Sequence, residues 1–231
     1  MKKRFWYGLI MLVVLMLLLF TLKSELLYRR NIRSLPLARY DDKQPFSSGS
    51  LLFLRYDFLL DWDATRWPVL NVMFHGYLHS FTHVGLILQY KGKNYVCHST
   101  SVLTPDMITQ TVKNGNVLVP LEEMLDFTKS DLVVLPYIGP DISDPLWKCV
   151  YAQSHRVYET NPWRMLNIIF KLKYLRDNGI TNMCPSSVSC VLSQVGVFPA
   201  STRFLNDNLE DVWLRARNHS FYAPPCKLLP F

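Results

Sequence analysis

Apolar and aromatic residues run from Phe5 to Leu22, relieved only by Gly8 and Thr21. At about 1.5 Å per residue a helix of that length spans roughly 27 Å, close to the hydrocarbon thickness of a bilayer. A run with no polar face does not fit an amphipathic helix packed on a core. Lys2, Lys3 and Arg4 precede it, and Lys23, Arg29, Arg30 and Arg33 follow it. No small-x-small cleavage site closes it. The pattern therefore predicts an uncleaved signal anchor over residues 1–30, one transmembrane helix of a single-pass membrane protein. Positive charge on both flanks balances the two orientations.

Periodicity then lapses. Residues 31–48 mix Arg, Asp, Lys and Ser with two prolines and read as a linker. From Gly49 short apolar runs begin, and a single domain is expected over 49–231. Strands are predicted at Leu51–Arg55, Thr82–Gln89, Asn94–His98, Val117–Pro120 and Leu132–Tyr137. Lys91-Gly92 between the second and third reads as a two-residue hairpin turn. Two helix starts carry a cap residue followed by proline: Asp144-Pro145, and Asn161-Pro162 with a stop at Gly179. A last helix runs from Pro185 to about Val195, with Gly196 behind it. Strands come first and helices mostly later, which predicts an α+β fold.

Composition narrows the class. Hydrophobic residues make up 49% of the 231-residue chain and charged residues 19%, which excludes disorder for most of it. The net charge of +7 is scattered apart from the flanks of the apolar run. That favours a membrane lipid bilayer as partner and no nucleic acid. The five cysteines form no CxxC pair and are odd in number, unlike a disulfide framework or a zinc ribbon.

Cys184-Pro185-Ser186-Ser187-Val188 opens the last helix. Proline at the first helical position puts Cys184 at the N-cap, where first-turn N–H groups and the helix dipole favour thiolate. Val188, Val191, Leu192 and Val195 form the buried stripe, and Cys184 heads it. Cys190 lies about 200° round from Val188 and faces elsewhere. A buried packing cysteine is the bland alternative.

His83 sits in an apolar strand, where an unpaired imidazole is costly. The Lys91-Gly92 turn puts His98 opposite Gly85, on the face of His83 and diagonal to it; Cys97 points to the other face. Two histidines on one face suit a base and its orienter. His75, His79 and His83 fall at i, i+4, i+8, but Gly76 and the strand-like sequence after Thr82 break a common helix. No carboxylate lies between them to make a zinc-protease HExxH, so no metal and no cofactor are expected.

Four segments resemble a known family. Ser48-Gly49-Ser50-Leu51-Leu52-Phe53 is similar to a G-D-L-L-F strand, with Ser50 where Asp is usual. Phe81-Thr82-His83-Val84-Gly85-Leu86-Ile87 resembles an S-H-V-G-I motif. Tyr95-Val96-Cys97-His98 resembles the strand that follows it. Cys184 through Gly196 looks like a C-S-x-L-V helix, with Pro185 in place of the usual Ser. Across 49–210 the chain thus resembles the circularly permuted NlpC-type papain-like superfamily, with its YiiX-like, lecithin:retinol acyltransferase-like and large-DNA-virus branches. The resemblance implies an antiparallel sheet packed against helices, with histidine preceding cysteine in the chain.

It also implies a mechanism. His83 takes the proton of Cys184, or the two rest as thiolate and imidazolium, while His98 orients His83. The thiolate attacks an amide or ester of a peptide or lipid substrate and forms a thioester. The Cys184 N–H helps hold the oxyanion; Pro185 has none to offer. The competing class is a catalytically silent membrane-anchored structural or interaction protein of the same fold. Asn218-His219-Ser220 is a glycosylation sequon, usable only in a lumenal or extracellular domain.

Overall fold

The computed structural model describes residues 2–40, 46–56, 80–125, 127, 130–159, 161, 180–200 and 207–229. Helix α1 (Lys2–Tyr28) leads into a π-helical turn (Arg29–Arg33). Strands β1 (Leu37–Arg39), β2 (Leu51–Tyr56), β3 (His83–Tyr90), β4 (Lys93–Asp106) and β5 (Thr111–Pro120) follow, then a single turn α2 (Leu121–Met124) and β6 (Ser130–Leu135). The rest comprises α3 (Ser143–Gln153), β7 (Val157–Tyr158), β8 (Thr181–Asn182), α4 (Cys184–Gln194), α5 (Leu209–Arg217) and β9 (Cys226–Leu229). This is the predicted mixture of helices and sheet. The helix expected over Asn161–Gly179 lies outside the described residues.

The described residues form a sheet of seven strands in the order β1-β9-β6-β2-β3-β4-β5, and β7 pairs with β8 apart from it. Within the sheet only β1 with β9 is parallel. In a flat sheet the two edge strands would lie roughly 29 Å apart, six spacings of about 4.8 Å. Yet Tyr40, just after β1, donates from its hydroxyl to Glu122, just after β5, at 3.4 Å. The sheet is therefore strongly coiled, edge toward edge. Its inner face packs Leu52, Leu54, Ile87, Val96, Val117, Val119, Leu132 and Val134. Its outer face, with Phe53, Val84, Leu86, Cys97 and Val133, is covered by α3, α4 and α5. At the centre of that layer Phe53, Phe81 and Trp213 meet with ring centroids 4.8–5.3 Å apart.

The hairpin between β3 and β4 has the predicted register, Tyr90 opposite Lys93 and Leu86 opposite Cys97. Its turn residues Lys91 and Gly92 both have positive φ, 49° and 75°, the geometry that suits the twist of the paired strands.

The beginning of the chain departs from its predicted division. Within 31–48, read as a linker, Asn31 and Ile32 are buried and Leu37–Arg39 is a strand of the sheet. The backbone of α1 is 27 residues long, roughly 40 Å. Its side chains are described only in part. Among the described residues no helix is long and apolar enough to cross a membrane, so the predicted transmembrane helix is not found as such. The described Trp6, Tyr7, Met11, Leu15, Leu18 and Leu22 are all exposed.

Candidate functional site

β3 and β4 part company at the start of β3, and His83 and His98 meet at that fork. The last β3–β4 pair is Leu86 with Cys97, while β4 goes on to pair Ser99 with Asn116 of β5. Ile87 exchanges backbone hydrogen bonds on the β2 side, with Gly49 and Ser50. By alternation the N–H of Val84 points to the β4 side, beyond the last pair. That N–H faces the sulfur of Cys184 and favours its charged form.

The two histidines meet each other at the same fork. The register puts His83 opposite Leu54 and, extended by one step, His98 opposite Gly85. They share a face, as the hairpin pattern predicts. His83 Nε2 lies 2.9 Å from His98 Nδ1, with the rings edge to face. Gly85 permits this packing: a Cβ there would come within 2.3 Å of Val96 Cγ1 and 3.6 Å of His98 Cβ. Cys184 approaches from the helical layer, in the core cluster of Val84 and Cys97. His98 is buried and its Nε2 has no hydrogen-bond partner among the described residues. Burial holds its pKa down at about 4, so the ring is neutral at pH 7.

Helix α4 begins one residue earlier than the proline predicts. Met183 is the N-cap and Cys184 the first helical residue. The Ser186 hydroxyl accepts from the Met183 N–H and donates to the Met183 carbonyl, both at 3.0 Å. The Ser187 hydroxyl donates to Asn116 Oδ1 at 3.1 Å, and Asn116 Nδ2 donates to the Gln153 carbonyl at 3.1 Å. These bonds tie the helix start to β5 and α3. Val188, Val191 and Leu192 are buried below Cys184 as the stripe predicts. Cys190 faces elsewhere, accepting from Gln153 Nε2 at 3.3 Å.

The electrostatics differ from the helix-dipole expectation. Cys184 is 2% exposed, and desolvation pushes its thiol up to about 12 against the N–H groups of Val84 and of Cys184 itself. The resting sulfur is a neutral thiol, and His98 is a neutral imidazole. The dipole and first-turn amides are present, but removal of water from around the charge outweighs them.

One residue escaped the sequence reading. Tyr158 of β7 pairs with Asn182 of β8, two residues before Cys184. Its phenol is buried and pushed upward, first by desolvation and then by the Cys184 charge. It therefore remains a neutral O–H within electrostatic reach of the sulfur. Two-residue strands carry no periodicity, and Tyr158 is far from Cys184 in the sequence, so no local signal could have flagged it.

Among the described residues no group of three or more His, Cys, Asp or Glu side chains gathers to hold a metal ion. His75 and His79 lie outside the described residues.

No family model matches this chain, and no curated protein matches it. Among solved structures a weak neighbour is the metalloprotein yiiX from Escherichia coli O157:H7, at 14% identity and a TM-score of 0.39. The match covers 80% of this chain and 89% of that one.

Proposed function

We propose that the chain is a membrane-anchored cysteine hydrolase or acyltransferase of the permuted papain-like type, with Cys184 as nucleophile, His83 as base and His98 as orienter. The observation that carries the reading is the fork: a helix-start thiol on the Val84 N–H, next in the chain to a histidine bonded to a second histidine at 2.9 Å. The low pKa of His98 fits its role. A neutral His98 accepts from His83 Nε2–H, which leaves the Nδ1 lone pair of His83 to receive the thiol proton.

The Cys184 S–H proton passes to His83 Nδ1 as sulfur attacks the carbonyl carbon of an amide or ester. The Cys184 N–H holds the developing oxyanion. Collapse expels the amine or alcohol with the proton from His83 and leaves a thioester on Cys184. Water, or another acceptor, gives its proton to His83, attacks the thioester and frees the thiol. The exposed apolar length of α1 supports anchoring in a bilayer, and with it a substrate met at the membrane.

Burial of the sulfur favours a second reading, a silent structural protein of the same fold. Ester, peptide and phospholipid substrates, screened with the wild type and Cys184→Ala, separate the two. An acyl adduct on Cys184 in mass spectra, with turnover lost in the variant, supports the enzyme. Identical behaviour of both proteins on all three substrate classes sinks it.

A further inference from the structure

We propose that the π-helical turn after α1 is a working part of the site: the Asn31 carboxamide, by holding Ser80, positions His83 three residues further on. This rests on His83 being the base. His83 is the first residue of β3 and lies beyond the last pairing of β3 with β4. Among the described residues its backbone pairs with β2 and not with β4, while its ring meets His98, so the segment that leads into it contributes to its placement.

That segment is held from the α1 side. Asn31 Nδ2 donates to Ser80 Oγ at 2.9 Å and to Glu210 Oε1 of α5 at 3.3 Å. Ser80 Oγ donates to Glu210 Oε2 at 3.5 Å, and Ser80 is fully buried. Arg55 closes the group from β2. Its Nη1 donates to the Ser80 carbonyl at 3.1 Å, its guanidinium lies 4.4 Å from the Tyr28 ring centroid, and it pairs with Glu25 at 3.6 Å. Ile32 inserts into the same core cluster as Phe81, Val84 and Cys184. Glu25, Tyr28 and Asn31 recur at three-residue steps, so the last turn of α1 and the π-helical turn after it present one face to the domain. A flexible tether would need none of these contacts. Their effect is to make the anchor helix and the base move as one body, with Asn31 a positioning residue.

The test uses the full chain in lipid nanodiscs, comparing wild type, Asn31→Ala, Ser80→Ala and the double variant. Amide hydrogen exchange over residues 80–85 should quicken on the order of tenfold in each single variant, with α4 and β5 unchanged. The double variant should be no faster than either single, because both cut the same link. In an esterase assay the same variants should lose kcat with KM preserved. Exchange that stays at the wild-type rate over 80–85, or quickens throughout the domain, overturns the proposal. If Asn31→Ala does not fold, Ser80→Ala, which removes one oxygen, decides it. The exchange readout needs no turnover. A wild type without activity would sink the hydrolase reading while the exchange still reports on the clamp.

Discussion

The backbone N–H of Val84, the residue next to His83, faces the sulfur of Cys184 and pulls its pKa down against burial. A strand amide that would otherwise seek a β4 carbonyl is turned to the Cys184 sulfur, where the β3–β4 ladder breaks.

Cys184→Ser keeps the shape of this arrangement and removes the reactive sulfur. Turnover should fall by about a thousandfold or more, while the unfolding midpoint changes little. Hydrolysis rates and a denaturation curve on the same preparation check both halves. Alkylation of wild-type Cys184 by iodoacetamide at pH 7 should be slower than that of free cysteine, because the buried thiol is held at about 12.

Acid should weaken the fold through His98. Its folded pKa of about 4 lies below the ordinary 6.5, so the unfolded chain binds the proton more readily between those values. Stability is complete above about pH 6.5 and declines as pH falls toward 4, by up to roughly 3 kcal/mol. Thermal melts from pH 7 to 4 should show this slope, and His98→Gln should reduce it.

Gly85→Ala should strain the fork. The added Cβ meets Val96 Cγ1 at 2.3 Å, and overpacking of this kind costs about 1–3 kcal/mol. Val96→Ala in the same chain should recover part of the loss. A denaturant double-mutant cycle that finds the two changes additive would contradict the contact.

Trp213→Ala removes the ring that touches both Phe53 and Phe81 and should cost about 3–5 kcal/mol. Trp213→Phe should cost markedly less, because the indole N–H is buried without a hydrogen-bond partner among the described residues. Urea midpoints of the two variants give the comparison.

Local signals were enough for the hairpin. Lys91-Gly92 and the alternation on either side of it predicted the pairing that puts His98 opposite Gly85 and beside His83. The Val188–Val191–Leu192 stripe likewise placed Cys184 against the sheet. What sequence could not carry was nonlocal. Leu37–Arg39 is three residues long and becomes a strand only because Cys226–Leu229 lies alongside it. Asn31 looks like linker until Ser80 and Glu210 are seen around it. The protonation of Cys184 was misjudged for a similar reason. The dipole is read from the helix start alone, whereas the desolvation that overrides it comes from α4 being buried against the sheet.

The pairing of β1 with β9 has a consequence for synthesis. Among the described residues β9 is the only neighbour of β1 in the sheet, and it lies near the far end of the sequence. β1 can therefore pair only once β9 has been made, and the pairing closes a long loop at a correspondingly slow step.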